Sequence, residues 1–244
     1  MIGIIGGAGV AATNKLCELI EEKMTTNGAF RDAHHPEMLI WQATKVPSRS
    51  MYYEGKGESF IPDYIDIGKK MKQCGVTKIV MCCNTAHMAI DEITEAVGLP
   101  FINIMQEVGK VVREKNVHKV GVICSDSLAK SKFYNQYITD SNKGLEVVYP
   151  DSDFQTIVTS GICNAKNRKR FLDKKNVEHP YTLFSRVVSH LKQKGVDCIL
   201  AGCTDIRNVF TPSESLLGGV EYVDCLEVMA DTIIKNKDEK YEQR

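Results

Sequence analysis

Lys72-Gln73-Cys74-Gly75-Val76-Thr77-Lys78-Ile79-Val80-Met81-Cys82-Cys83 lies over Lys192-Gln193-Lys194-Gly195-Val196-Asp197-Cys198-Ile199-Leu200-Ala201-Gly202-Cys203 at an offset of 120 residues. Six of the twelve positions are identical: Lys72/Lys192, Gln73/Gln193, Gly75/Gly195, Val76/Val196, Ile79/Ile199 and Cys83/Cys203. Each copy reads as the end of an amphipathic helix, a glycine stop and a short apolar strand. The match continues outward. Ile2-Gly3-Ile4-Ile5 resembles Val120-Gly121-Val122-Ile123, and Leu99-Pro100-Phe101-Ile102-Asn103 resembles Val220-Glu221-Tyr222-Val223-Asp224. Short periods build solenoids, whereas one repeat of about half a chain means two similar domains.

The rest of the chain fits a duplicated α/β unit, with short β-rich runs alternating with longer amphipathic segments. The pattern predicts strands at Ile2–Ile5, Met38–Ala43, Lys78–Cys82, Phe101–Ile104, Val120–Cys124, Glu146–Tyr149, Cys198–Ala201 and Tyr222–Asp224. Helices are expected at Ala11–Met24, Ile61–Cys74, Thr85–Val97, Met105–Lys115, Ser131–Tyr137, Tyr181–Lys194 and Leu226–Asn236, and the polar stretch Lys235–Arg244 is expected to fray. The expected fold is therefore α/β: two pseudo-symmetric domains with parallel-type sheets and the active site in the inter-domain cleft. The first domain would span 1–105, with 213–244 packing back on it, and the second 106–212.

Composition narrows the function classes. The 244 residues carry 31 basic and 31 acidic side chains, and 43% are hydrophobic, which suits a soluble globular protein. Zero formal charge argues against a nucleic-acid partner. No apolar run approaches the ~18–20 residues of a membrane span, and Met1–Gly6 reads as a strand, not a signal peptide. A cytoplasmic protein with no membrane partner is expected. The nine cysteines are odd in number and set in apolar segments, without a Cys-x-x-Cys pair, so neither a disulfide framework nor a metal site is expected.

Two of those cysteines differ from the rest. Cys83 and Cys203 each end a helix–glycine–strand pattern, which places them at the carboxyl ends of parallel strands, where α/β sheets hold ligands. Asn84-Thr85 follows the first and Thr204-Asp205 the second, and a thiol beside a helix N-terminus feels the positive end of its dipole, which favours the thiolate. Two thiols on opposite sides of one cleft suit inversion of a carbon stereocentre, with one removing a proton from one face and the other delivering a proton to the opposite face. The plainer reading is two buried strand-end residues that match because the unit was duplicated.

Cys83-Asn84-Thr85-Ala86-His87 and Gly202-Cys203-Thr204-Asp205 resemble the two catalytic motifs of the aspartate/glutamate racemases that work without pyridoxal phosphate. Ile4–Thr13 resembles that family's Gly-Gly-Met-Gly-Pro opening, with Ala8 and Val10 in place of Met and Pro. Pro47-Ser48-Arg49 resembles its Pro-Asp-Arg loop, with Ser48 in place of the acid. The resemblance runs from Ile2 to about Asp224 and implies Cys83 and Cys203 as the two acid/base residues, with no cofactor. It also implies substrate-binding roles for Gly7, Asn84, Thr85, Ser125 and Thr204, and a clamp on the side-chain carboxylate from Arg49, which tilts the expected substrate toward aspartate. Some aspartate racemases carry a second-domain lysine beside the substrate; here Thr159 aligns with it and Lys166 is the nearest lysine. A homodimer is expected by resemblance. The alternatives are a glutamate, hydantoin or maleate racemase or isomerase of the same superfamily, or a silent small-carboxylate-binding protein.

Further signals have competing readings. Gly7-Ala8-Gly9-Val10-Ala11-Ala12 matches a dinucleotide-binding pattern but lacks the acid after the second strand, so a tight turn facing an anionic substrate is the favoured reading. His87 lies one helical turn after Cys83, and a packing or capping histidine is favoured over a Cys–His nucleophile pair. Likewise His34-His35-Pro36 reads as a loop ahead of a strand. Lys45–Phe60 is irregular enough for a lid or a solvated connector, and the basic Asn164–Lys175 reads as a solvated helix face.

Overall fold

A computed structural model describes residues 1–139 and 144–237. The chain falls into two units, Met1–Ile104 with Leu226–Arg244, and Met105–Cys225. Residues 238–244, most of the stretch expected to fray, lie outside the described residues.

The first unit runs β1 (Ile2–Gly6), α1 (Val10–Thr26), β2 (Met38–Gln42), α2 (Arg49–Tyr53), α3 (Ile61–Gln73), β3 (Lys78–Met81) and α4 (Ile90–Val97), with 3-10 turns at Asp32–His34 and Asn84–Ala89. Its sheet has the order β2-β1-β3 and is parallel throughout. Every residue of β1 is buried, as expected for a central strand covered on both faces. Phe60, Tyr64, Met71, Ile79, Met81 and Ile93 form the core on one side of it.

The second unit runs α5 (Ile104–Glu114), β4 (Lys119–Ile123), α6 (Asp126–Lys130), α7 (Asn135–Ile138), β5 (Glu146–Val148), α8 (Ser152–Ala165), α9 (Pro180–Gln193), β6 (Cys198–Ala201), α10 (Glu214–Leu217) and β7 (Glu221–Asp224). Its parallel sheet has the order β5-β4-β6-β7, so residues up to Asp224 belong to this unit. Ile123, Phe184, Val187, Leu191, Ile199 and Phe210 are buried beneath it. The final helix, α11 (Cys225–Lys235), rejoins the first unit, where Lys78 Nζ donates to Asn236 Oδ1 at 2.9 Å.

The repeat is realised in the hydrogen-bond register. Ile2–Ile5 pairs with Lys78–Met81, and Val120–Ile123 pairs with Cys198–Ala201, residue for residue as the two sequence copies align. The shared glycines have a shared cause. A Cβ on Gly3 would meet Met71 Sδ and Val76 Cγ1 at 2.9 Å, and one on Gly121 would meet Leu191 Cδ1 at 3.1 Å and Val196 Cγ1 at 3.2 Å. Gly75 and Gly195, at φ 86° and 76°, take the left-handed conformation that ends α3 and α9. Lys72 and Lys192 are also retained for a reason: their Nζ atoms donate to Gly98 O at 2.9 Å and Leu216 O at 2.6 Å, closing off the ends of α4 and α10.

Several elements differ from the sequence expectation. The helix expected at Thr85–Val97 begins as a 3-10 turn and becomes α-helical only at Ile90, because short polar side chains and the turn after Cys83 compete with regular helix bonding. The helix expected at Ser131–Tyr137 is replaced by α6 and α7 around Lys132, whose φ is 51°. Phe101 makes one isolated bridge to Ile79, and Ile104 already starts α5, so no strand forms at Phe101–Ile104. Helix α8 was not expected, since Thr156, Ile157, Val158, Thr159 and Gly161 are poor helix formers. Packing overrides propensity there: a Cβ on Gly161 would sit 2.7 Å from the Phe184 ring, so the glycine lets α8 lie close on α9. The basic Asn164–Lys175 is a helix end followed by a 3-10 turn at Arg168–Phe171 and further turns, not a helix face. Among the described residues, no helix is long and apolar enough to cross a membrane.

Candidate active site

In the first unit, Cys82 N–H donates to Ile5 O at 2.9 Å, the last sheet bond of that strand, and Cys83 follows in an extended conformation. The chain then turns sharply, with Ala86 N–H donating to Cys83 O at 3.2 Å, and Asn84 and Thr85 are buried in that turn. The second unit repeats this geometry. Gly202 N–H donates to Ile123 O at 2.8 Å, Ile206 N–H donates to Cys203 O at 3.1 Å, and Thr204 is buried. Both sulfurs are carried by half-buried residues at the carboxyl end of a strand next to the centre of a parallel sheet.

His87 explains part of the first turn. Its Nδ1 lies 2.9 Å from Cys83 O, and Ile104 N–H donates to its Nε2 at 3.4 Å. The acceptor role of Nε2 puts the proton on Nδ1, which donates to the Cys83 carbonyl. Burial pushes His87 down to about 4, so it is neutral at neutral pH. The ring thus holds the backbone of the cysteine turn, which is the packing and capping role, and its Nδ1 is committed to a carbonyl instead of the thiol.

Arg49 opens α2, whose N-terminus is capped by Ser48 Oγ accepting from Met51 N–H at 3.4 Å. Ser48, where the resembled loop has an acid, caps this helix here. The Arg49 Nη1 donates to Pro47 O at 2.9 Å, and α2 packs against the turn that follows Cys83. Tyr52, Tyr53, Phe60 and Tyr64 pack edge to face beside it, with centroids 5.0–5.9 Å apart. Burial pushes the Tyr64 hydroxyl well up; charge on Cys83 adds to this and the Arg49 guanidinium opposes it. Cys83 and Arg49 therefore act on one neighbourhood. Of the segment Lys45–Phe60, the Arg49–Tyr53 portion is ordered as a short helix.

Gly7 sits just past β1 with φ 80°, and a Cβ there would lie 2.6 Å from Ala43 N, so only glycine fits. Its N–H donates to Thr13 Oγ1 at 3.0 Å, and Thr13 is fully buried. Gly7 supplies the tight turn, with its amide engaged within the fold. The equivalent position past β4 is Ser125, which begins α6. Beside it, burial and the nearby Cys203 hold the Cys124 thiol well above its usual range.

The surroundings of Cys203 include Asp205, which the motif contains but to which no role was given, and Lys166, the lysine nearest the position aligned with the resembled family's second-domain lysine. Cys203 Sγ lies 3.9 Å from Asp205 Oδ2, and Lys166 Nζ lies 2.8 Å from the same oxygen. The Asp205 side chain is 4% exposed while Lys166 is 45% exposed, so a buried carboxylate is met by a cation reaching in from the surface. Lys166 follows the end of α8, 39 positions before Asp205, and no spacing rule connects them; the helix that brings it there was itself unexpected. Thr159 instead donates to Asp126 Oδ1 at 2.9 Å. Among the described residues, no group of three or more His, Cys, Asp or Glu side chains is arranged to hold a metal ion.

Two parallel α/β units that each present a cysteine on the same sharp strand-to-helix turn define a duplicated two-thiol protein. The family model for Asp/Glu/Hydantoin racemase matches residues 2–233. The chain belongs to that family and is a racemase of it. It is 25% identical over 229 residues to the broad specificity amino-acid racemase RacX of Bacillus subtilis, covering 93% of this chain and 94% of that one. It is also 25% identical over 195 residues to a glutamate racemase of Picosynechococcus, covering 78% of this chain and 63% of that one. Among solved structures, the fold resembles Picrophilus torridus aspartate racemase with a TM-score of 0.79 at 23% identity, covering 98% and 96% of the two chains.

Proposed function

We propose that this racemase interconverts L- and D-aspartate without a cofactor, using Cys83 and Cys203 as the two bases. The observation that carries this reading is the shared hydrogen-bond pattern at the two cysteines: each takes the place after the last sheet bond, and each carbonyl accepts from the N–H three residues on. In one direction a thiolate takes the α-proton from one face and the other thiol delivers its proton to the opposite face. The thiol and thiolate have then exchanged roles, ready for the opposite enantiomer. Asn84, Thr85, Ser125 and Thr204 cradle the substrate carboxylate and the charge that develops as the proton leaves. The half-buried Arg49 on α2 pairs with the side-chain carboxylate, and its place beside the Cys83 turn supports a short diacid. A reducing compartment such as the cytoplasm keeps both thiols usable.

Proton NMR in heavy water tests this directly. With reduced protein and L-aspartate, the α-proton signal is expected to wash out as D-aspartate appears, faster than with L-glutamate. Absence of exchange with aspartate would overturn the substrate assignment, and exchange favouring glutamate would move it to the longer diacid.

A further inference from the structure

The two turns match in backbone but not in charge. Where the first turn has Thr85, the second has Asp205, whose carboxylate lies 3.9 Å from the Cys203 sulfur. That carboxylate is almost fully buried, yet Lys166 reaches it at 2.8 Å, an arrangement that keeps it ionised. A thiol beside a carboxylate can donate S–H to it, whereas a thiolate in the same place faces like charge in a poorly solvated site. We infer that Asp205, held as an anion by Lys166, is a positioning residue that keeps Cys203 in its thiol form and makes it the resting acid of the pair.

Other groups surround the second turn, among them Asp126, whose charge acts with Cys203 on Cys124. Cys124, on the adjacent strand end, stays a neutral thiol, and the Tyr134 hydroxyl is spent on Gly202 O at 2.9 Å. Arg207 is turned toward Asp224, Nη1 to Oδ2 at 3.7 Å. Around the first turn the charged groups are the Arg49 guanidinium, of opposite sign, and the Glu92 carboxylate, which acts with Cys83 on Tyr53. The inference rests on the two-base reading and deepens it. The enzyme would wait with its proton on Cys203, delivering it to the α-carbon as Cys83 removes the opposite one. The thiolate left on Cys203 would then be the less stable product form, with Lys166 limiting the repulsion from Asp205.

The experiment reads protonation, not turnover, so its failure is separate from failure of the racemase assignment. Reduced full-length protein is alkylated with iodoacetamide from pH 6 to 10, and the rates at Cys203 and Cys83 are followed by peptide mass spectrometry. Asp205→Asn is expected to move the Cys203 profile down by about one pH unit, giving about tenfold faster modification near neutrality. Asp205→Glu, which keeps a carboxylate in the turn, is expected to leave it near the parent profile. Cys83 should shift in neither variant. Loss of packing alone would move both variants the same way, and that result overturns the inference, as does an unmoved Cys203 profile in Asp205→Asn. If Asp205→Asn fails to fold, Asp205→Ser is read in its place with the same expected downward shift.

Discussion

Cys83 and His87 show how one residue can look chemical and be structural. The spacing permits a nucleophile pair, but the imidazole lies between the Cys83 carbonyl and the Ile104 amide, and burial keeps it neutral. A pH dependence follows. His87 titrates near 4 in the fold, against 6.5 in its absence, so the unfolded chain binds the extra proton between those values. Stability contributed by the neutral ring is therefore complete above pH 6.5 and lost as pH falls toward 4, amounting to roughly 3 kcal/mol across the window. Urea melts at pH 7 and pH 5 should show a smaller acid loss in His87→Gln than in the parent protein; an equal loss would assign the titration elsewhere. For the cysteines, Cys83→Ser and Cys203→Ser are each expected to lower racemisation by about a thousandfold. Each should keep wash-out of the α-proton from only one enantiomer, opposite in the two variants. Retained exchange of both enantiomers by either variant would remove that thiol from the mechanism.

At the scale of elements, the duplication was readable because it leaves short identical signatures at places where the backbone allows little choice. Gly3 and Gly121 face the same trio of neighbours, and Gly75 and Gly195 end the same kind of helix. The strand register and the positions of Cys83 and Cys203 followed from that. Elements held by tertiary contacts were not readable: α8 is rich in β-branched residues and forms because Gly161 admits the Phe184 ring. The pairing of Lys166 with Asp205 was not readable for the same reason, since the end of α8 is what brings this lysine there. The close approach at the matched glycines gives a test. Gly3→Ala, with contacts at 2.9 Å, and Gly121→Ala, with contacts at 3.1–3.3 Å, should each destabilise the protein by roughly 1–3 kcal/mol. Gly3→Ala should cost the more. Urea melts measure both, and an unchanged midpoint in either would mean that its helix can shift outward without loss.

For the whole molecule, the duplication has a consequence for stoichiometry. One chain carries both turns, the chain leaves the first unit after Ile104 and rejoins it at Leu226, and each unit supplies one thiol. If the two bases that act on one α-carbon come from one chain, a chain lacking either thiol is inactive whatever its partner. Mixing equal amounts of Cys83→Ala and Cys203→Ala proteins, with refolding to exchange any subunits, should then give no more racemisation than either alone. If instead the two bases came from different chains, each mixed pair would contain one intact set, and activity would return to about a quarter of the parent value, since half the randomly formed dimers are mixed and each restores one of two sites. The assay is D-aspartate formation from L-aspartate. An unrestored mixture ties function to the internal repeat, whereas recovery would mean that the repeat built the fold while the reaction depends on association.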